Sequence, residues 1–496
     1  MASNNGSSDK FTSLPLEMLQ HIAGHLSLWD RLKLRTVFPK NQEEVVVNLI
    51  GDALKMVYVS PNKLSLGNFE NIAASGFYQT HIRSIIYVPR VICCGYEGDG
   101  FDELGYDSLQ AYRDAHPALS RPDAAESFAL YQRLLEEYDF DNSVDMDTLE
   151  NEESEARIRD RLRKGVQKLP NVTEISISTA IESEGLNASC LAHSRAFDKY
   201  QNIRGSNNCR RDVSTIQACN SLLPWHFQAF IWVMLDVLDA AANLRRFTIG
   251  KGAKSGLDLD HQFSCAYRTN NFKKALANLT HLTLSIAYTT DFFATRSDHS
   301  RFIAMAKNAT ALQELTLYLD ATPDDFDEWR KEQKRPRIDR AFLQVGGFRQ
   351  LKVLRITAEE YYQDVDINLF EQFLFRHRHV LQQVYLRNVL LAEKCSGEDE
   401  KGYNEKWDEC VCQIIRRTLP EIGAWMRELR TFEMKLKEHE PPHHMGERDE
   451  CFICKEQARL AEELDVPSED DECDFGVIVM RSKAKYNSEI RVGDQN

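Results

Sequence analysis

The chain has no long hydrophobic run and few cysteines. No stretch approaches the roughly 18 apolar residues of a membrane-spanning helix, and residues 1–10 are small and polar, unlike a secretory leader. The 12 cysteines among 496 residues, which include Cys93-Cys94 and Cys410-x-Cys412, form no regular disulfide framework. We therefore expect free thiols in a reducing compartment, cytoplasmic and/or nuclear, and no membrane partner.

The chain also lacks an excess of basic charge. It holds 61 Lys and Arg against 76 Asp and Glu, a net charge of −15, whereas binding to phosphates requires clustered basic side chains. No nucleic acid partner is expected. The hydrophobic fraction of 43% and the charged fraction of 28% are ordinary for a globular protein.

Signatures of catalysis are missing as well. The sequence contains no Gly-rich phosphate loop, no Gly-x-Ser-x-Gly elbow and no kinase signature. The 14 histidines are scattered, and His377 and His379 fall in a basic stretch that we expect to be exposed. We predict a non-catalytic protein without catalytic residues or cofactors.

One cluster has the residue types of a metal site. His439, His443 and His444 precede Cys451-x-x-Cys454, and a thiolate pair with two histidines can complete a tetrahedral zinc site. The histidines flank no second Cys-x-x-Cys pair, so we expect a surface loop and no metal, with zinc as the alternative.

A compact helical signature lies between Ser13 and Phe38. Pro15 suits the first turn of a helix, and Leu19, Ile22 and Leu26 follow at helical spacing on one face. Asp30 is a candidate N-cap for a second helix, and residues 45–50 supply a third apolar segment. Three short helices bury too little surface to be self-sufficient, so some of this apolar surface should contact another protein or another part of the chain.

This signature resembles an F-box, the adaptor-binding motif of cullin-RING ubiquitin ligases. The residues that carry the resemblance are Leu14, Pro15, Glu17, Leu19, Ile22, Leu26, Asp30, Leu32, Leu34 and Val37. The chain departs from the usual pattern at Phe38-Pro39-Lys40. The resemblance implies an apolar face that binds a Skp adaptor and, through it, a cullin. The residues expected to line that face are Leu14, Pro15, Leu19, Ile22, Leu26, Leu32, Leu34 and Val37.

A second pattern, apolar-x-x-apolar-x-apolar, recurs after the N-terminal helices. Its last two apolar residues alternate as in a strand, and apolar helix-like runs precede several copies, at 231–238, 272–276, 302–306 and 370–374. The eight copies are Ile82/Ile85/Tyr87, Val172/Ile175/Ile177, Leu244/Phe247/Ile249, Leu279/Leu282/Leu284, Leu312/Leu315/Leu317, Leu351/Leu354/Ile356, Leu381/Val384/Leu386 and Leu429/Phe432/Met434.

From Leu244 to Leu381 the copies follow one another at intervals of about 30–40 residues. This spacing resembles a degenerate leucine-rich-repeat solenoid of the kind found in F-box proteins of filamentous fungi, an α/β fold with parallel strands and helices on the convex side. A mixed α/β domain with unrelated strands is the alternative. We predict a flexible N-terminus (1–10), an F-box-like helical module (11–55), the solenoid (56–436) with an acidic insertion (136–155), and a C-terminal loop and tail (437–496), in which residues 475–480 are a candidate last strand.

The two resemblances together imply a substrate-recognition subunit of an SCF-type cullin-RING E3 ubiquitin ligase. The F-box would bind the Skp adaptor, and the concave strand face would bind an unidentified target protein. Candidate target-binding positions, expected to be exposed between the triplet residues, are Thr283, Thr316, Tyr318 and Arg355. The alternative is a non-catalytic repeat scaffold for protein–protein interaction, in which the N-terminal helices cap the solenoid.

Overall fold

Short parallel strands recur along the chain and alternate with helices. The computed structural model describes residues 14–34, 37–38, 43–89, 108–136, 150–178, 185–204, 228–249, 266–288, 307–321, 348–358, 363–387, 389–392, 426, 428–435, 477–483 and 487–493. These fall into two units, Met1–Leu244 and Arg245–Asn496. The expected α/β class is confirmed. Within these ranges no helix combines the length and the apolar character needed to cross a membrane.

The first unit carries three parallel strands and most of the described helices. Its helices are α1 (Leu16–Gly24), α2 (Leu28–Leu34), α3 (Glu43–Ile50), α4 (Lys63–Ala74), α5 (Gly76–His81), α6 (Leu109–Ala115), α7 (Arg121–Glu136), α8 (Glu150–Gln167), α9 (Ala188–Arg204) and α10 (Gln228–Val237). Its strands are β1 (Met56–Val59), β2 (Ser84–Tyr87) and β3 (Glu174–Ile177). Strand β2 lies between β1 and β3, and Val57, Ile85 and Ile175 occupy the same register.

The second unit carries six further parallel strands. They are β4 (Arg246–Ile249), β5 (His281–Tyr288), β6 (Glu314–Ala321), β7 (Val353–Ala358), β9 (Gln383–Arg387) and β11 (Thr431–Lys435), paired in that order. The antiparallel strands β12 (Val477–Lys483) and β13 (Asn487–Gly493) follow, and β8 (Gln363–Asp366) pairs with β10 (Val389–Ala392). The helices are α11 (Ala266–Leu276) and α12 (Ile367–His377).

The apolar triplets of the sequence form the buried rows of these strands. Every triplet side chain that the structure describes is at most 6% exposed. Within each unit the second residue of a triplet is in register with that of the neighbouring strand, as in the run Leu282, Leu315, Leu354, Val384 and Phe432. The side chain of Met434 lies outside the described residues. The triplet pattern therefore predicted these strands and their parallel pairing.

Six of the strands follow the same hydrogen-bonded turn, in which the first triplet residue donates to the carbonyl three positions back. The N–H of Leu312 donates to the carbonyl of Ala309 at 3.3 Å, and the N–H of Leu351 donates to that of Phe348 at 3.3 Å. Just before strand β6, the carbonyl of Gln313 accepts two consecutive N–H groups of the next strand segment, from Lys352 (2.8 Å) and Val353 (3.0 Å). The same double acceptance recurs at Arg83, Arg245, Thr280, Lys352 and Gln382. These bonds lock each strand to the next at one register.

The sequence pattern missed one copy and misplaced one histidine. Leu54, Val57 and Val59 have the same spacing and are at most 1% exposed, so β1 belongs to a ninth triplet, which spans the boundary expected between the helical module (11–55) and the solenoid (56–436). His377 was expected to be exposed, but it is 3% exposed at the end of α12, whereas His379 is exposed. The basic residues around His377 point outward while the ring turns into the core, a distinction that composition alone does not make.

Helix α8 binds its neighbours through arginines. The Arg161 guanidinium pairs bidentately with Glu70 of α4, with both N–O distances 2.9 Å. This hydrogen bond lowers the pKa of the Glu70 carboxyl. On the other side, Arg163 donates to the Asp239 carboxylate at 2.8 Å, just beyond α10. These pairs fix the rotation of α8, so that Gly165 faces the ring of Phe69.

A helix also lies on the opposite face of the first unit's strands. Tyr58 and Val88 pack with Cys190 and Leu191 of α9, and Tyr58 alternates with the triplet residues Val57 and Val59. Helices are therefore not confined to one side of the strands here. The expected solenoid has helices on its convex side; α9 on a second face of β1 and β2 is a feature that the sequence pattern did not predict.

A glycine pair tests the packing of α8 on α4. A Cβ atom at Gly165 would lie 2.3 Å from the Phe69 ring, whereas one at Gly67 would meet only the Arg161 guanidinium, at 3.8 Å. We expect Gly165→Ala to lower the free energy of unfolding by about 1–3 kcal/mol through overpacking. Gly67→Ala, the matched control in α4, should raise it by about 0.5–1 kcal/mol through helix propensity. Thermal and urea unfolding measure both; equal effects would contradict this packing.

Burial of His377 predicts a pH-dependent stability. Its Nδ1–H donates to the Phe373 carbonyl at 2.7 Å, and desolvation lowers its pKa, with Arg376 adding to the effect. Because the unfolded chain takes up a proton at about pH 6.5 while the folded chain does not, stability is full above that pH. It should fall as the pH drops below it, by at most about 1.4 kcal/mol per pH unit.

The variant His377→Gln should flatten that slope between pH 7.5 and 5.5 in urea titrations. His379→Gln, which replaces an exposed histidine two residues away, should leave the slope as in the wild type. A wild-type slope that survives in His377→Gln would refute the assignment to this ring.

Candidate functional site

Helices α1, α2 and α3 form a small module with its own core. Helix α3 is the main neighbour of both α1 and α2, and the Arg31 guanidinium of α2 donates to the Ile50 carbonyl at 3.4 Å. The buried apolar residues of the module are Leu19, Ala23, Leu28, Phe38, Val46, Leu49 and Ile50. The chain then passes through a turn at Gly51, where φ is +67°, into β1.

The start of α2 differs in detail from the sequence-based expectation. Ser27, not Asp30, lies at its N-terminus: the Asp30 N–H donates to the Ser27 hydroxyl oxygen at 3.2 Å, and that hydroxyl donates to the Asp30 carboxylate at 2.8 Å. Ser27 is therefore the N-cap of α2, and its hydroxyl is also bonded to the Asp30 side chain. The Asp30 carboxylate also accepts from Lys33, and that bond, followed by the Ser27 bond, lowers the pKa of Asp30.

Helix α1 exposes an apolar stripe beside its buried face. Pro15 directly precedes the helix and accepts from the N–H groups of Met18 (3.0 Å) and Leu19 (3.1 Å). Pro15, Met18 and Ile22 then share one face at spacings of three and four. Pro15 is exposed, Met18 is 52% exposed and Ile22 is half-buried. We call these three residues the α1 stripe.

The structure divides the eight predicted adaptor-binding residues. Pro15 and Val37 are exposed, the latter by 42%, while Leu19 is 3% exposed and fills the module's core. Four of the eight are half-buried: Leu14, Ile22, Leu26 and Leu32. The side chain of Leu34 lies outside the described residues. Sequence reasoning missed Met18, although its spacing of three from Pro15 and four from Ile22 was available as a signal.

The free edge of β1 is covered by a distant segment of the first unit. The Tyr58 N–H donates to the Leu186 carbonyl at 3.1 Å, and the Leu186 N–H donates to the Met56 carbonyl at 2.9 Å. The Asn187 side-chain amide donates to the carbonyls of Tyr58 (2.8 Å) and Ser65 (2.9 Å). Residues 186–187 therefore satisfy the edge of β1 that faces away from β2.

In the second unit, four strands place a connected row of polar side chains on the face opposite the triplets. Glu314 of β6 accepts from the Arg355 Nε–H of β7 at 3.2 Å, and its other oxygen lies 3.7 Å from the His281 ring of β5. The Arg355 guanidinium stacks over the Tyr385 ring of β9, 4.2 Å from its centroid. The Tyr385 hydroxyl donates to Gln383 at 3.3 Å. We call Glu314, Arg355 and Tyr385 the open-face cluster.

The predicted target-binding positions lie on this face but differ in exposure. Arg355, Thr283 and Tyr318 are half-buried, and the Arg355 side chain retains 40% of its exposure. Thr316 was expected to be exposed but is 7% exposed. Its short side chain lies in register between Thr283 of β5 and Arg355 of β7.

The metal and catalytic expectations remain predictions. The described residues contain no group of three or more His, Cys, Asp or Glu side chains arranged for a metal ion, and the histidine–cysteine cluster from His439 to Cys454 lies outside the described residues. Cys190 is a buried free thiol.

Comparisons with known proteins add no relative. No protein-family model matches the chain, and no curated protein matches it.

Asn187 offers a test of the covered edge of β1. It is 2% exposed and has a φ of +82°, so Asn187→Ala removes the amide that donates to the carbonyls of Tyr58 and Ser65 and strains the backbone. We expect a loss of about 2–4 kcal/mol in the free energy of unfolding. Asn187→Gly, which tolerates positive φ, should lose less. Equal stability of the two variants in urea unfolding would show that the positive φ at residue 187 causes no strain in the alanine variant.

Proposed function

We propose that this chain is a substrate receptor of an SCF-type E3 ubiquitin ligase, binding a Skp-type adaptor through its N-terminal module. The observation that carries the proposal is the α1 stripe: a helical module with a filled core leaves Pro15 and Met18 in solvent. Single exposed apolar residues are normal on a protein surface. A stripe on one helix face, within a sequence that resembles an F-box, is a more specific feature.

Burial of the stripe supplies a reasonable driving force. Full burial of one aliphatic side chain contributes roughly 1.5–3 kcal/mol relative to full exposure. Met18 has about half of that still to gain, and the half-buried Leu14, Ile22, Leu26 and Leu32 can add smaller shares. Association itself costs several kcal/mol. The module therefore needs most of these residues together, with Leu19 supporting the stripe from the core.

The covered edge of β1 weighs against the scaffold alternative. A cap is required where a repeat array ends in an unpaired strand. In the first unit, Leu186 and Asn187 already pair with that edge, and the N-terminal module packs mainly within itself. No unpaired edge of β1 therefore remains for α1 and α2 to cap. A capping role also does not account for the exposed apolar side chains of α1.

The same proposal includes the nature of the strand region. Parallel strands that mostly follow the same turn, with the triplets in register within each unit, support a degenerate leucine-rich-repeat-like solenoid. The irregular intervals and the helix α9 on the second face depart from a regular repeat. In this proposal the repeats hold a target protein, and the chain performs no catalysis itself.

Adaptor binding tests the proposal directly. We expect Met18→Glu, and the double change Leu14→Ala with Pro15→Ala, to weaken binding of the full chain to a purified Skp-type adaptor at least about tenfold, because each removes apolar area from the interface. Isothermal titration calorimetry measures the effect, and circular dichroism checks the fold.

The matched control is Leu64→Glu, which introduces the same charge at an apolar residue that is 56% exposed on α4. It should bind the adaptor as the wild type does. Wild-type protein that fails to bind the adaptor, or Met18→Glu protein that binds it normally, would refute the proposal.

A further inference from the structure

The open-face cluster fixes the orientation of the Arg355 side chain and leaves its two Nη groups available to a ligand. The Arg355 Nε–H is bonded to Glu314, and the Cζ atom of the guanidinium lies over the Tyr385 ring, 4.2 Å from its centroid. Within the part of the chain that the structure describes, no acceptor is bonded to the Nη atoms, and the side chain is 40% exposed. A guanidinium fixed at Nε and by stacking presents its two Nη groups as a planar fork.

The surroundings of this fork favour a side chain of the bound peptide, and not its backbone, as the ligand. Strands β6, β7 and β9 pair with a neighbour on both sides, so their backbone groups are occupied and an incoming peptide cannot add to the sheet there. Thr316, in register with Arg355 on β6 and 93% removed from solvent, brings a hydroxyl group to the same row. Recognition must therefore occur through polar side-chain contacts on the face of the strands.

We propose that the open-face cluster binds a carboxylate side chain of an acidic peptide segment, with Arg355 donating two parallel hydrogen bonds. The proposal names the class of target for the receptor role above and rests on that role for its biological meaning. A planar carboxylate matches a planar fork in bidentate geometry. The rigid setting of Arg355 lowers the entropic cost of forming the pair.

Charge selects a carboxylate over a phosphate. The Glu314 carboxylate is bonded to the same guanidinium and leaves the cluster close to neutral before the ligand arrives. A phosphate group carries a charge of about −1.5 to −2 at pH 7 and binds best opposite a cluster of arginines. A single fork beside Glu314 suits a ligand with one negative charge.

Peptide libraries distinguish these ligands. Full-length protein is applied to three sets of acetylated and amidated peptides, identical except that their central residue is glutamate, glutamine or phosphoserine. We expect the glutamate set to be bound about tenfold more strongly than the glutamine set, and also more strongly than the phosphoserine set. Raising the salt concentration should reduce the difference, since the contact is exposed.

Variants assign any preference to the fork. Arg355→Gln should abolish the preference for glutamate, and Arg355→Lys, which keeps the charge but loses the planar fork, should lose most of it. Arg349→Gln removes an exposed arginine from the turn before β7 and should retain the preference. Adaptor binding, measured on the same proteins, should be unchanged in all three.

Several results would overturn the inference. They are equal binding of the glutamate and glutamine sets, no binding of any set, a preference for phosphoserine, or a glutamate preference that survives Arg355→Gln. Each of them leaves the adaptor result untouched. A chain that binds glutamate peptides but not the adaptor would instead contradict the receptor role alone.

Discussion

The register of one buried row holds the strands of each unit in place. In most repeats an apolar residue closes a turn, and in six of them the carbonyl two positions before the central triplet residue accepts two N–H groups from the next segment. A slip of one residue would turn every triplet side chain to the solvent face. The apolar row and the double hydrogen bond therefore select the same register. Because strand side chains alternate, this register also decides which residues reach the opposite face, among them Glu314, Arg355 and Tyr385.

Local sequence patterns predicted the strands and several helices of this architecture. The eight triplets predicted eight strands. The apolar runs ending in Leu238, Leu276 and Leu374 predicted helices α10, α11 and α12, or the turn that follows them. The ninth triplet, Leu54/Val57/Val59, has the same pattern, but it follows directly on the apolar residues of α3. Leu54 falls at the end of the expected helical module (11–55) and Val57 and Val59 at the start of the expected solenoid, so that boundary divided the triplet.

What could not be predicted depends on contacts between distant residues or on the direction of one side chain. Asn187 bonds to Tyr58 across 129 positions, and no local pattern links the two. The packing of helix α9 on Tyr58 likewise joins residues far apart in sequence, so no local pattern predicts it. His377 lies in a basic stretch, yet the helix turns its ring inward; an i−4 carbonyl satisfies its Nδ1–H, so the neutral ring can be buried. At the N-terminus, spacing identified the exposed face of α1 only in part, since Leu19 and Met18 are adjacent in sequence but differ fully in burial.

The two candidate surfaces differ in the physics by which they would bind. The α1 stripe offers apolar area, which gives affinity in proportion to what is covered and little directional selectivity. The open-face cluster offers one oriented charge whose neighbours are already bonded, which gives direction and selectivity but a small net energy while it stays exposed to solvent. A stable subunit contact is best built from the first kind of surface. A contact that must release its target is better built from the second, because a single exposed ion pair holds a ligand only briefly. The chemistry of each surface thus matches the role proposed for it: lasting attachment at the module and transient capture at the strands.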